Sequence, residues 1–214
     1  MNSLGYVERS RDALIVIDVQ NDFCSGGALA VEGGEAVVPV INRLLARFDG
    51  VVFTQDWHPA GHASFASSQP GRAPYETVEL AYGPQTLWPD HCVQGTPGAD
   101  FHADLRADSA NLVIRKGFRQ SIDSYSAFFE NDRATPTGLA GYLRERGFAR
   151  VFLCGLATDY CVAYSALDAR RQGFDAVVLL DACRAIDLQG SLDAALTGMR
   201  GAGVVLARTD DLHG

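Results

Sequence analysis

The 214-residue chain has no long hydrophobic run, no CxxC pair, no extended run of Lys and Arg and no low-complexity segment. Each absence narrows the reading. A transmembrane helix needs about 20 consecutive apolar residues, and the longest apolar run here, around ALIVI at 13–17, is far shorter. The N-terminal stretch carries acidic residues before and inside that run, so it is expected to be neither a signal peptide nor an anchor. Five cysteines, an odd number without close pairing, do not make a disulfide framework and fit a reduced, cytoplasmic protein. A net charge of −8 argues against nucleic acid or an anionic membrane as partner. The Gly-rich stretch NDFCSGGALAVEGG at 21–34 lacks the Lys-Ser/Thr ending of a phosphate-binding loop, and no GxGxxG follows the first strand. With no internal repeat and no linker, the chain reads as one domain over residues 1–214.

What is present is alternation. Buried strands are expected at Ala13–Val19, Val51–Gln55, Asn111–Lys116, Val151–Cys154, Ala176–Asp181 and Gly203–Ala207. Between them, helices are expected at Ala36–Phe48, at Thr137–Arg146 entered through Pro136, at 160–172 and at 191–200. Such alternation predicts an α/β fold: a parallel sheet with helices on both faces. Right-handed crossovers bring all strand C-termini to one edge, where ligands of such sheets bind. Asp18, Asp56, Lys116 and the turn before Cys161 all fall at that edge.

Cys161 follows a strand and a tight turn at the start of a helix, a position expected to favour the thiolate. With Asp18 as proton acceptor and Lys116 as electrostatic partner, it forms the apparatus of a thiol amidase. Backbone N–H groups at Ala157 and Cys161 are candidates for the oxyanion hole. The second strand runs into DWHPAGHASF, where Asp56 and His58 are followed by His62 and Ser64, and the long Ala66–Gly98 loop beyond holds Trp88 and His91. An Asp-x-His with a distal His is a donor set for a metal.

These segments, ALIVIDVQNDFCSGGALAV, TQDWHPAGHASFAS, QTLWPDHCVQGTPGADFH, RKGFRQSIDSYSAFFEN, VFLCGLATDYCVAYSALDA and LLDACRAID, resemble the nicotinamidases (pyrazinamidases) of the isochorismatase-like cysteine hydrolase superfamily over nearly the whole chain. The resemblance implies a three-layer α/β/α fold with a six-stranded, mostly parallel sheet in the order 3-2-1-4-5-6, and a cis peptide between Leu156 and Ala157. It places the catalytic Asp, Lys and Cys on Asp18, Lys116 and Cys161, the substrate ring among Phe23, Trp88 and Tyr125, and the metal on Asp56, His58 and His91. Some members carry a further histidine six residues after the first; here that position is Ser64, taken as the fourth ligand in preference to His62. The implied cofactor is one divalent ion, zinc first, with iron and manganese as alternatives. The implied reaction is hydrolysis of nicotinamide to nicotinate and ammonia through a Cys thioester, a step of NAD salvage, with pyrazinamide as a second substrate. A homo-oligomer is allowed by this reading. The rivals are a carbamoyl hydrolase of the same superfamily, which the Asp-x-His…His set disfavours, and a thiol redox protein, which the missing CxxC disfavours.

Overall fold

The structure, a computed structural model, describes residues 6–212. Strands β1 (Asp12–Ile17), β2 (Gly50–Asp56), β5 (Leu112–Lys116), β6 (Arg150–Leu156), β7 (Asp175–Arg184) and β8 (Val205–Ala207) form one sheet in the order β5-β2-β1-β6-β7-β8. Every pairing in it is parallel, and the order is the one that the resemblance implies. Helices α1 (Val38–Leu44), α2 (Leu139–Glu145), α3 (Ala163–Arg171) and α4 (Ser191–Gly201) complete a three-layer α/β/α arrangement. The central strands are buried along their whole length because both faces are covered: all six residues of β1 and all seven of β2 are buried, their middles apolar and the site's polar residues at the ends. Truncating Ile15 or Phe53, each wholly buried, would cost about 2–5 kcal/mol. No described helix is long and apolar enough to cross a membrane.

Several elements differ from the sequence expectations. The first helical stretch begins and ends in 3-10 turns, Gly34–Val37 and Leu45–Arg47, around a seven-residue α1. The second does not begin at Pro136: Gly138, at φ 98°, breaks the chain there and α2 starts at Leu139. The last strand starts two residues late, after Gly203 at φ 76°. The Ala66–Gly98 segment is not all loop. It contains an antiparallel hairpin, β3 (Thr77–Leu80) and β4 (Gly83–Thr86), paired through Val78 and Gln85. Its short strands and its Gly83-Pro84 pair hide it from pattern reading.

Two register facts position the site. Asp56 and Lys116 are direct partners at the ends of β2 and β5. Ile17, the last residue of β1, faces Gly155 of β6, which sits at φ 115° where the pairing of β6 with β7 slips. A Cβ on Gly155 would run into the Ile17 carbonyl, so only glycine lets β1 and β6 approach this closely.

Candidate active site

Asp18 follows β1 in a left-handed conformation, φ 46°, that turns its carboxylate under the C-terminal edge. Thr54 of β2 takes its N–H at 3.2 Å and donates its hydroxyl to Oδ1 at 2.6 Å. Lys116, completely buried, stands between two carboxylates: its Nζ is 2.8 Å from Asp18 Oδ2 and 2.5 Å from Asp56 Oδ1. The ammonium has three protons. It directs them at Asp56 Oδ1, at the Ser124 carbonyl (2.8 Å) and at Cys161 Sγ (3.4 Å). Asp18 Oδ2 therefore has the ammonium's charge beside it but no well-directed donor. That oxygen is left open to take the thiol proton of Cys161, whose sulfur shares the Lys116 ammonium with it.

The electrostatics sort these groups. Burial pushes Asp18 up to about 6, against the pull of Lys116 and with the repulsion of Asp56. Burial pushes Asp56 up as well, but Lys116 and then His58 outweigh it and hold that carboxyl well below the usual carboxylate range. Burial would neutralise Lys116, yet the two carboxylates keep it charged, its pKa well above the ordinary lysine value. The thiol corrects an expectation. Cys161 lies inside a single π-helical turn, Thr158–Val162, before α3, and burial pushes its pKa well up, opposed by Lys116 and reinforced by Asp18 and Asp56. The resting pair is thiol with carboxylate rather than a standing thiolate.

The turn bearing Cys161 follows a cis Leu156–Ala157 peptide. Amides on either side of the cysteine, Tyr160 and Val162, both donate to the Ala157 carbonyl. Asp159 ties the turn to the segment before α4: it accepts from the Ile186 and Asp187 amides at 3.0 and 2.7 Å and from the Ser191 hydroxyl at 2.5 Å.

Cys161 opens into a small cavity shared with Phe23, Trp88, Tyr125, Asp56, His91 and Ala157. The residues assigned to ring binding, to the oxyanion hole and to two of the metal positions thus meet at one place. Sequence reasoning missed Leu29, Asp123, Tyr160 and Ile186, which complete the lining. Trp88 packs edge-on against Tyr160 at 4.9 Å and donates its indole N–H to the Tyr125 hydroxyl at 3.1 Å. Asp123 carried a usable signal, a carboxylate seven residues beyond Lys116 in the same aromatic segment. Wider surface grooves run past Arg133, Tyr164 and Arg171 but bring neither thiol nor histidine to bear.

Behind the cavity, Asp56, His58 and His91 bring three donor atoms together. His58 Nδ1 lies 2.9 Å from the Gly117 carbonyl and His91 Nδ1 lies 2.8 Å from the Pro89 carbonyl. A carbonyl only accepts, so both rings carry their proton on Nδ1 and turn the Nε2 lone pair inward. Those Nε2 atoms stand 3.7 and 3.9 Å from Asp56 Oδ2, near the spacing of about 3–3.5 Å between donors on one ion. Burial above all pushes His91 down to about 4, so its ring is neutral. Burial would also depress His58, but Asp56 and then Asp123 raise it above the ordinary histidine value. Lys116 is the permanent cation between Asp18 and Asp56, and the histidines add nitrogen donors beside the Asp56 carboxylate. The donor set fits a divalent ion.

His62 and Asp123 make a second grouping with His58, but both ring nitrogens of His62 are engaged. The Ser64 N–H and hydroxyl both lie on His62 Nδ1, at 3.3 and 2.8 Å, while Nε2 meets the Ile122 carbonyl at 3.2 Å. His62 Nδ1 is thus an acceptor already in use, and the Ser64 oxygen keeps its lone pairs.

The Isochorismatase domain model matches residues 12–211. A nicotinamidase of Acinetobacter baylyi is 56% identical over 192 residues, covering 90% of each chain. Among solved structures, a nicotinamidase/pyrazinamidase of Acinetobacter baumanii superposes with a TM-score of 0.94 at 54% identity, covering 95% of this chain and 99% of that one. A pyrazinamidase of Pyrococcus horikoshii in complex with zinc gives a TM-score of 0.74 at 37% identity, covering 92% and 99%.

Proposed function

The chain belongs to the isochorismatase family, and from that premise and the site above we infer that it is a nicotinamidase, hydrolysing nicotinamide to nicotinate and ammonia. The observation that carries this reading is the shared cavity: a thiol with its own base on one side, a nitrogen-and-oxygen donor set on the other, aromatic walls between. A pyridine carboxamide has a ring nitrogen for one end and a carbonyl carbon for the other. Pyrazinamide has both features and is expected to be hydrolysed too. NAD salvage is the pathway this reaction would serve.

The mechanism follows from the protons. Asp18 Oδ2, lacking a directed donor, accepts the Cys161 proton as sulfur attacks the carboxamide carbon, and Lys116 steadies the anion on either group. A base with a pKa of about 6 is ionised at neutral pH yet still able to give the proton back. Protonated Asp18 passes it to the leaving nitrogen, ammonia departs, and a thioester remains on Cys161. Asp18 then takes a proton from water as water attacks the thioester, and returns it to the Cys161 sulfur as the C–S bond breaks, restoring thiol and carboxylate. The amides of Ala157 and Cys161 are proposed to receive the carbonyl oxygen during both attacks. Phe23, Trp88 and Tyr125 hold the ring. Asp56, His58, His91 and Ser64 would hold a divalent ion, with zinc proposed on the nitrogen-and-oxygen donor set and on the zinc complex of the Pyrococcus horikoshii relative. When bound, such an ion supplies a Lewis acid that orients the ring through its nitrogen. We read the whole chain as one domain acting on a small molecule.

Ammonia release from nicotinamide and pyrazinamide, with N-carbamoyl compounds as control, tests the assignment. Turnover of the two carboxamides is expected; preference for the carbamoyl compounds would overturn it.

A further inference from the structure

The hairpin β3–β4 has no part in the reaction derived above, yet it sends one polar side chain into the outer wall of the ring pocket. Gln85 is 1% exposed. Its Nε2 lies 2.7 Å from Asp123 Oδ2, 2.9 Å from the Tyr125 hydroxyl and 2.7 Å from the Thr86 carbonyl. Its Oε1 accepts from the Tyr82 hydroxyl at 3.0 Å and from Asn131 Nδ2 at 3.2 Å. Chemistry sets this orientation, because a carboxylate only accepts and the amide nitrogen must face Asp123. Asn131 closes the circuit by accepting the Tyr125 N–H at 3.0 Å. The Tyr82 hydroxyl also takes the Asp123 N–H at 3.3 Å.

Asp123, Tyr125 and Trp88 line the cavity with Cys161, and no hairpin residue does. Gln85 therefore acts on the pocket only through others. It supplies a donor to Asp123 and one to the Tyr125 hydroxyl, which accepts the Trp88 indole N–H on its other side. Its loss would leave a buried carboxylate oxygen without this donor and free the two aromatic walls to shift. Gln85 bonds to Thr86, Asp123 and Tyr125 rather than to the triad, which meets this circuit through the Lys116 bond to the Ser124 carbonyl.

We propose that Gln85 is a positioning residue for ring recognition, holding Asp123, Tyr125 and Trp88 in the geometry that binds the pyridine ring. Substrate affinity depends on it and the thiol chemistry does not. The proposal rests on the nicotinamidase reading, so turnover of nicotinamide by the unmodified enzyme is measured first; its absence overturns that reading rather than this one.

Gln85→Met keeps nearly the same volume with neither donor nor acceptor. Its KM for nicotinamide is expected to rise about tenfold, the order expected for unpairing buried polar groups, with kcat within about threefold. Alkylation of Cys161 by iodoacetamide in the absence of substrate should keep its rate. Nicotinate binding, measured calorimetrically in a Cys161→Ala background, should weaken by the same factor as KM rises. If Gln85→Met does not fold, Tyr82→Phe on the half-exposed rim removes the hydroxyl that holds Gln85 Oε1, and about a twofold to threefold rise in KM is expected. Unchanged KM and unchanged nicotinate affinity in a folded variant overturn the proposal. A fall in kcat together with slowed alkylation overturns it as well, since the hairpin would then support the whole site rather than its ring-binding half.

Discussion

Asp18, Lys116 and Cys161 stand at the ends of β1 and β5 and in the turn after β6, whereas His58, Ser64, Trp88, His91, Asp123 and Tyr125 all hang on loops between β2 and α2. The first group takes its spacing from the sheet. Asp56 faces Lys116 in register and Ile17 faces Gly155, so the distances among base, ammonium and thiol are set by strand pairing. The second group takes its spacing from polar contacts: Gly117 and Pro89 carbonyls on two histidines, His62 on Ser64, Gln85 on Asp123 and Tyr125. Bond-making is mounted on the rigid part and recognition on the part that can be retuned one hydrogen bond at a time. Asp56 belongs to both, with one oxygen on Lys116 and the other toward the two Nε2 atoms.

The comparison breaks if the thiol is dispensable. Cys161→Ala is expected to fold and to lose turnover by at least about 10⁴-fold, while still binding nicotinate by calorimetry. Substitution of Cys24, Cys92, Cys154 or Cys183 by Ala should leave turnover in place.

It sharpens if selectivity resides in the loop half. Benzamide has the carboxamide but no ring nitrogen, and a site left with an unpaired polar partner can reject such an analogue by about 10⁴-fold. His58→Ala, or removal of bound metal with a chelator, is expected to shrink the ratio of kcat/KM for nicotinamide over benzamide by about 10²-fold or more. The Cys161 alkylation rate should change far less. Equal ratios before and after would place recognition elsewhere.

The smallest effect concerns the strand half alone. Asp18 must be ionised to take the thiol proton, and burial raises it to about 6, so kcat/KM should fall as pH drops through that value, about tenfold per unit below it. The Thr54 hydroxyl favours the ionised form. Thr54→Val should therefore raise the Asp18 pKa and move the acid limb upward by about half to one unit, visible in a pH profile of kcat/KM.

The same division explains what could be read before any coordinates. Asp18, Asp56 and Lys116 fall at strand ends, and although one such charge says little, their convergence with the Cys161 turn on one edge of a parallel sheet made them legible. His58 and His91 were legible through spacing and resemblance. Gln85 and Tyr160 had no such frame, and the signal of Asp123, a carboxylate seven residues beyond Lys116, was weaker than theirs. Gln85 sits on a four-residue strand beside Gly83-Pro84, where neither periodicity nor propensity marks a buried position. Leu29 and Ile186 reach the cavity from irregular backbone, and the Asp159 contacts that seat Ile186 join residues 27 positions apart. The direction of the Cys161 shift also lay beyond the sequence. A helix start argues for thiolate, but the depth of burial and two adjacent carboxylates decide the matter.

Gly155 shows how little material such control requires. Base and nucleophile are carried on two strands made separately, by segments more than a hundred residues apart, and their reaction tolerates only small errors in spacing. The gauge that sets this gap is a missing methyl group: with nothing projecting from Gly155, the Ile17 carbonyl seats directly against the neighbouring backbone. Any other residue would act as a wedge driven between Asp18 and Cys161 from beneath. The site's tolerance is thus machined into the chain by an atom left out, at a position that touches neither substrate nor proton.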